Sequence, residues 1–111
     1  MTIIDSAPYP PQEGVIFMEE DPEKATYYIV GNYTERTGVY DDELVVEECC
    51  VYCTAITVGI QPSDWFEQTV TAKHTDVEWA DICRLPTRTR DQMDEAITKA
   101  YTQVHALIGQ A

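Results

Sequence analysis

From Leu44 to Ile60 the chain runs Leu-Val-Val-Glu-Glu-Cys-Cys-Val-Tyr-Cys-Thr-Ala-Ile-Thr-Val-Gly-Ile, with no turn-forming residue between Asp42 and Val58. The conformation of this one segment decides how large the fold must be. Its Val, Ile, Thr and Tyr content favours a strand. A single strand of that length spans about 55 Å, too long for a compact domain whose radius of gyration is roughly 13 Å. As an α-helix it spans about 25 Å. Val45, Cys49, Tyr52, Cys53, Ile56 and Ile60 then share one face, Asp41-Asp42-Glu43 suits the positive N-terminal end, and Gly59 suits the stop. The length argument makes a helix over 44–60 the expectation. A short helix breaking into a strand near Val51 is the alternative.

The rest of the chain is easier to read. Residues 1–13 form an extended Pro-rich arm, ordered only where it packs on something. Val15–Glu20 and Ala25–Val30 are β-prone runs around Asp21-Pro22-Glu23-Lys24, which has Pro at the second position of a type I turn, so they predict a hairpin. Gly31-Asn32 offers a further turn into a third strand near Tyr33–Arg36, closed by Thr37-Gly38. Phe66–Ala72 and Val77–Leu85 alternate around the polar Lys73-His74-Thr75-Asp76, which predicts a second hairpin ended by Pro86. Thr89 and Gln92 have capping-box spacing. Met93, Ile97, Ala100, Tyr101, Val104, Leu107 and Ile108 then make one apolar stripe of a C-terminal helix. The expected fold is α+β: a single domain over 14–111 in which a small antiparallel sheet packs with two helices, in the order ββ(β)–α–ββ–α.

Charge narrows the function classes. The chain has 111 residues, 20 of them acidic and 7 basic, for a net −13. Residues 1–48 alone hold 12 acids against 2 bases. An apolar fraction of 44 % supports one real core, so a wholly disordered acidic chain is excluded. Charge at this density repels polyanions and attracts basic surfaces, which argues against direct nucleic-acid binding. Neither a signal peptide nor an apolar run long enough to span a membrane is evident, so a cytoplasmic protein with reduced thiols is expected.

The acids fall in two clusters. Glu19, Glu20, Asp21 and Glu23 lie at the tip of the first hairpin, and Asp41, Asp42, Glu43, Glu47 and Glu48 open the expected helix. Such clusters ordinarily keep a small protein soluble, but that needs only about 2–8 net charges. The excess favours a binding surface for a basic partner, with Tyr33 and Tyr40 as anchors if they stay exposed. No EF-hand loop pattern is present. Cys50-Val-Tyr-Cys53 is a C-x-x-C whose residues share a face on a helix, and His74 and Cys83 would have to complete a zinc site. Burial as small apolar side chains is the ordinary role of such cysteines, and Glu47 and Glu48 disfavour the thiolate. His74 and His105 are the only imidazoles, and no nucleophile elbow, zincin motif or phosphate loop occurs. Arg84, Arg88 and Arg90 are the only basic cluster, better suited to internal ion pairs than to a phosphate.

The reading is therefore a non-enzymatic acidic binding protein, with no cofactor and no metal. It docks on a basic, nucleic-acid-handling protein surface and competes with nucleic acid. In size and charge alone it resembles the loose class of small acidic inhibitors that phages direct at host CRISPR or restriction complexes. Two other classes are kept. One is a structural or accessory subunit, such as a virion component or small homo-oligomer, marked by an exposed apolar patch from Val51, Val58, Trp65 or Trp79. The other is a metal or redox protein using Cys50 and Cys53.

Overall fold

The computed structural model describes residues 7–59 and 70–109, the side chains of 102–109 excepted. It is an antiparallel sheet of five strands with two helices: β1 Ile16–Glu20, β2 Lys24–Tyr40, β3 Glu43–Gly59, β4 Val70–Glu78, α1 Trp79–Ile82, β5 Thr87–Arg88 and α2 Arg90–Gly109. The strands lie side by side in the order β4-β3-β2-β1-β5.

The expected helix over 44–60 is a strand. β2 and β3 are 17 residues each and form one long hairpin around Asp41-Asp42. Rejecting so long a strand assumed a compact domain. The protein is instead 68 Å along its longest axis, with a radius of gyration of 17.5 Å. β-propensity over this run agrees with the structure; the assumed shape opposed it, and the acidic start and Gly59 suit the ends of a helix as well. The residues that share a helical face, Val45, Cys49, Tyr52, Cys53 and Ile56, are divided between the two faces of the strand by its period of two. Ile60 lies outside the described residues.

Two further corrections follow from the same hairpin. Gly31-Asn32 does not turn the chain. Val30 pairs with Cys53 and Tyr33 with Val51, so Gly31 and Asn32 together oppose Tyr52 in a β-bulge, and the strand runs on past Thr37-Gly38. A Cβ at residue 31 would sit 2.9 Å from the Tyr52 carbonyl oxygen, which accounts for the glycine there. The second expected hairpin is also absent. Lys73–Asp76 lies inside β4, paired with 52–55 of β3, and Val77–Leu85 divides into the end of β4, α1 and a turn. Phe66–Thr69 falls outside the described residues. The element order is thus ββββαβα in place of ββ(β)–α–ββ–α.

The first hairpin is as expected: β1 pairs with the start of β2, and Asp21 Oδ1 accepts the amides of Glu23 and Lys24 at 2.8 and 2.9 Å. The capping box forms too, with Gln92 N donating to Thr89 Oγ1 at 3.1 Å and Thr89 N to Gln92 Oε1 at 2.8 Å.

Alternation along the strands builds a core on each face of the sheet. On one face, Ile16, Met18, Ala25, Tyr27 and Val58 pack against Met93 and Ala100 of α2. Ile97 joins them half-buried, whereas Tyr101, placed in the apolar stripe by its spacing, is exposed. On the other face, Phe17, Val30, Cys49, Val51 and Cys53 pack against Ile82, with Trp79, Leu85 and Ala7 around them. The Pro-rich segment is bound here: Ala7 N donates to Cys83 O at 2.8 Å, and the Tyr9 ring meets those of Tyr33 and Trp79 edge-on. Among the described residues no helix is long and apolar enough to cross a membrane.

A projecting acidic arm as the candidate docking site

β1 leaves β2 after Ile29, and β4 leaves β3 after Cys50. Beyond those points residues 31–49 continue as a two-stranded ribbon with no neighbouring strand among the described residues. Ten residues of β2, from Gly31 to Tyr40, carry the arm about 33 Å away from the body.

An isolated two-stranded hairpin is marginal in water, and local contacts support this one. Its turn is Asp41-Asp42, with φ of 51° and 63°. Both residues are left-handed, as a two-residue type I′ turn requires, and aspartate tolerates that region better than most side chains. Halfway along, Glu47 is the extra residue of a second bulge, between the Arg36–Glu48 and Thr37–Val46 pairs. The bulge brings both carboxylates onto one guanidinium: Arg36 Nη1 lies 2.7 Å from Glu47 Oε2, and Nε lies 3.2 Å from Glu48 Oε2. The Tyr40 hydroxyl donates to the other Glu47 oxygen, which raises the Tyr40 pKa, and Gly38 leaves room for that contact. At the root, the Tyr9 hydroxyl donates to Glu35, and this bond, more than desolvation, holds the Tyr9 pKa well up.

The arm carries six carboxylates, Glu35, Asp41, Asp42, Glu43, Glu47 and Glu48, against the single cation Arg36. It also exposes apolar surface. Val39 and Leu44, paired across the ribbon behind the turn, are 69 % and 73 % exposed, and Tyr33, Tyr40, Val45 and Val46 are exposed as well. The acidic ribbon and its uncovered apolar side chains thus lie together on one projecting arm of the described fold.

The sequence-derived site residues divide into two groups. Asp41, Asp42, Glu43, Glu47, Glu48, Tyr33 and Tyr40 come together on the arm. Glu19, Glu20, Asp21 and Glu23 sit at the β1–β2 turn, at the opposite end of β2, about 55 Å away. The two clusters do not share a face. Sequence reasoning missed Val39, Leu44, Val45 and Val46. Their signal was present, since an apolar pair flanking Asp41-Asp42 is what a hairpin turn would show, but it was absorbed into the assumed helix.

The apolar patch expected from Val51, Val58 and Trp79 is not exposed: the first two are buried, and Trp79 packs edge-on against Phe17. Trp65 lies outside the described residues. Cys50 and Cys53 project from opposite faces of β3, which removes the shared face a C-x-x-C site needs. Burial pushes the Cys53 thiol up to about 11, with Asp76 adding to it, and desolvation followed by Glu48 and Glu78 raises Cys50. His74 stacks on Tyr52 and contacts Thr54 Oγ1 at 3.1 Å, away from both. Among the described residues no three His, Cys, Asp or Glu side chains are placed to hold a metal ion. The arginines also separate. Arg84 borders a cavity of about 500 Å³ lined by Phe17, Trp79 and Leu85. Arg88 lies opposite Ile16 on the other face, and Arg90 pairs with Asp94 at 3.6 Å.

Compared with known proteins, the chain matches no family model, no curated protein and no solved structure.

Proposed function

We propose that this is a non-enzymatic binding protein whose projecting arm docks on a basic surface of a nucleic-acid-handling protein and competes there with nucleic acid. The observation that carries the reading is the arm itself: six carboxylates against one arginine on a slender ribbon that nothing else in the described fold covers. A net charge of −5 concentrated on so slender a ribbon attracts a basic surface and steers its approach. The exposed Tyr33, Tyr40, Val39 and Leu44 add the apolar area that converts steering into a lasting contact. In size and charge alone the protein resembles the loose class of small acidic inhibitors that phages direct at host CRISPR or restriction complexes. The test is retention of proteins from a cell extract on the immobilised chain, followed by elution with duplex DNA or RNA. Basic nucleic-acid-binding proteins retained at low salt and displaced by the duplex are the expected outcome. Retention indifferent to salt and duplex contradicts the reading.

A second reading is a structural or accessory subunit, favoured by the exposed Val39–Leu44 pair, which a neighbouring subunit would cover. Sedimentation across a concentration series separates the two, since only this one expects the chain alone to assemble.

A further inference from the structure

The pairing of β3 with β4 stops at Cys50–Glu78, because the chain turns out of the sheet into α1 at Trp79. Seven residues of β3, Glu43–Cys49, therefore present an outer edge that no described strand occupies. An open edge is a row of backbone donors and acceptors available to another extended chain. At the point where β4 departs, a cavity of about 390 Å³ opens in line with that edge, lined by Tyr9 and Trp79 together with Glu47, Glu48 and Glu78. The two rings meet at 65° with centroids 6.4 Å apart, giving the cavity an aromatic wall beside its carboxylates. Arg36 engages Glu47 and Glu48 from within the ribbon, while Glu78 has no ion pair among the described residues.

We infer that the edge of β3 over residues 43–49 binds an extended, basic peptide segment of the partner by strand addition, in the line vacated by β4, with one Lys or Arg side chain in the Tyr9–Trp79–Glu78 cavity. Charge selects the occupant. Glu43, Glu47 and Glu48 along the edge repel the like-charged edge of a second copy, and a cationic strand relieves that repulsion. The cavity selects the side chain: a cation against aromatic rings and carboxylates is held by both. Backbone pairing supplies affinity and the alternate side chains supply selectivity. The edge spans about 23 Å, enough for roughly seven residues.

This inference rests on the acidic-docking reading, and the experiment separates their failures. The probe is a fluorescent heptapeptide alternating arginine with threonine, titrated against the full chain at low salt. A second probe of the same sequence is N-methylated at alternate residues, which keeps the charge and removes one row of backbone donors. Strand addition predicts at least tenfold weaker binding of the methylated probe. It also predicts that Glu78→Lys and Tyr9→Ala each weaken the unmodified probe at least threefold, with unchanged far-UV circular dichroism. Equal binding of both probes, or indifference to both substitutions, overturns the inference and leaves general acidic docking standing. Binding of neither probe overturns it too, and retention of basic proteins from extract then decides whether the docking reading falls with it.

Discussion

Asp42 holds a conformation that costs most side chains about 1–2 kcal/mol, and aspartate only in part escapes that cost. Asp42→Gly is therefore expected to stabilise the arm by up to about 1 kcal/mol. Slower amide exchange at Tyr40 and Glu43, the hydrogen-bonded pair that closes the turn, is the readout, and faster exchange there would contradict the type I′ turn. Cys53 gives a pH prediction. A thiol that ionises near 9 when unfolded and about 11 in the fold contributes stability that is complete below pH 9 and lost as pH rises toward 11. The raised, desolvated hydroxyls of Tyr27 and Tyr28 act in the same direction. Urea midpoints should fall across that window, and Cys53→Ala should flatten part of the fall. At this scale the sequence was legible where the chemistry is local. Thr89 with Gln92 and Asp21 with Glu23 and Lys24 act through neighbouring backbone and can be read from spacing alone. The paired left-handed aspartates were not legible, because an acidic pair also suits a helix start.

Among the elements, the arm depends on few contacts. Arg36 bridges Glu47 and Glu48 in water, where each such pair contributes about 0.2–1 kcal/mol. Arg36→Ala should leave the melting temperature of the body within a few degrees while amide exchange in 33–48 accelerates severalfold. Equal acceleration throughout the sheet would mean the arm and body unfold as one. The body behaves differently: Phe17, fully buried between the sheet and the Trp79 ring, should cost about 3–5 kcal/mol on truncation to alanine in urea unfolding. The sheet, its first hairpin and the C-terminal helix were readable from period and turn chemistry. β3 was not. Its composition pointed to a strand, but strand length is limited by the fold around it, and no local signal announces that a hairpin will leave its sheet. β4 was misread for a related reason: Lys73–Asp76 is polar because it lies on an exposed edge strand, and polarity there resembled a turn.

At the scale of the whole molecule, the acidic residues are arranged along an axis. One cluster sits at the β1–β2 turn and the other on the arm, separated by the length of β2, so a single partner surface of ordinary size meets one and not both. The acidic group of the arm was legible as charge, and its separation from Glu19–Glu23 was not, because that depends on the extended β2 and β3. If the arm is the docking element, the two clusters differ in function despite similar charge. The decisive measurement is the association rate of a basic partner retained in that extract test with two variants. One reverses Asp41, Asp42, Glu43, Glu47 and Glu48 to lysine, and the other reverses Glu19, Glu20, Asp21 and Glu23. Arm reversal should slow association by about 10- to 1,000-fold through lost steering, and turn reversal should change it by less than about threefold. Comparable losses from both variants, or a loss confined to the turn, would contradict docking through the arm.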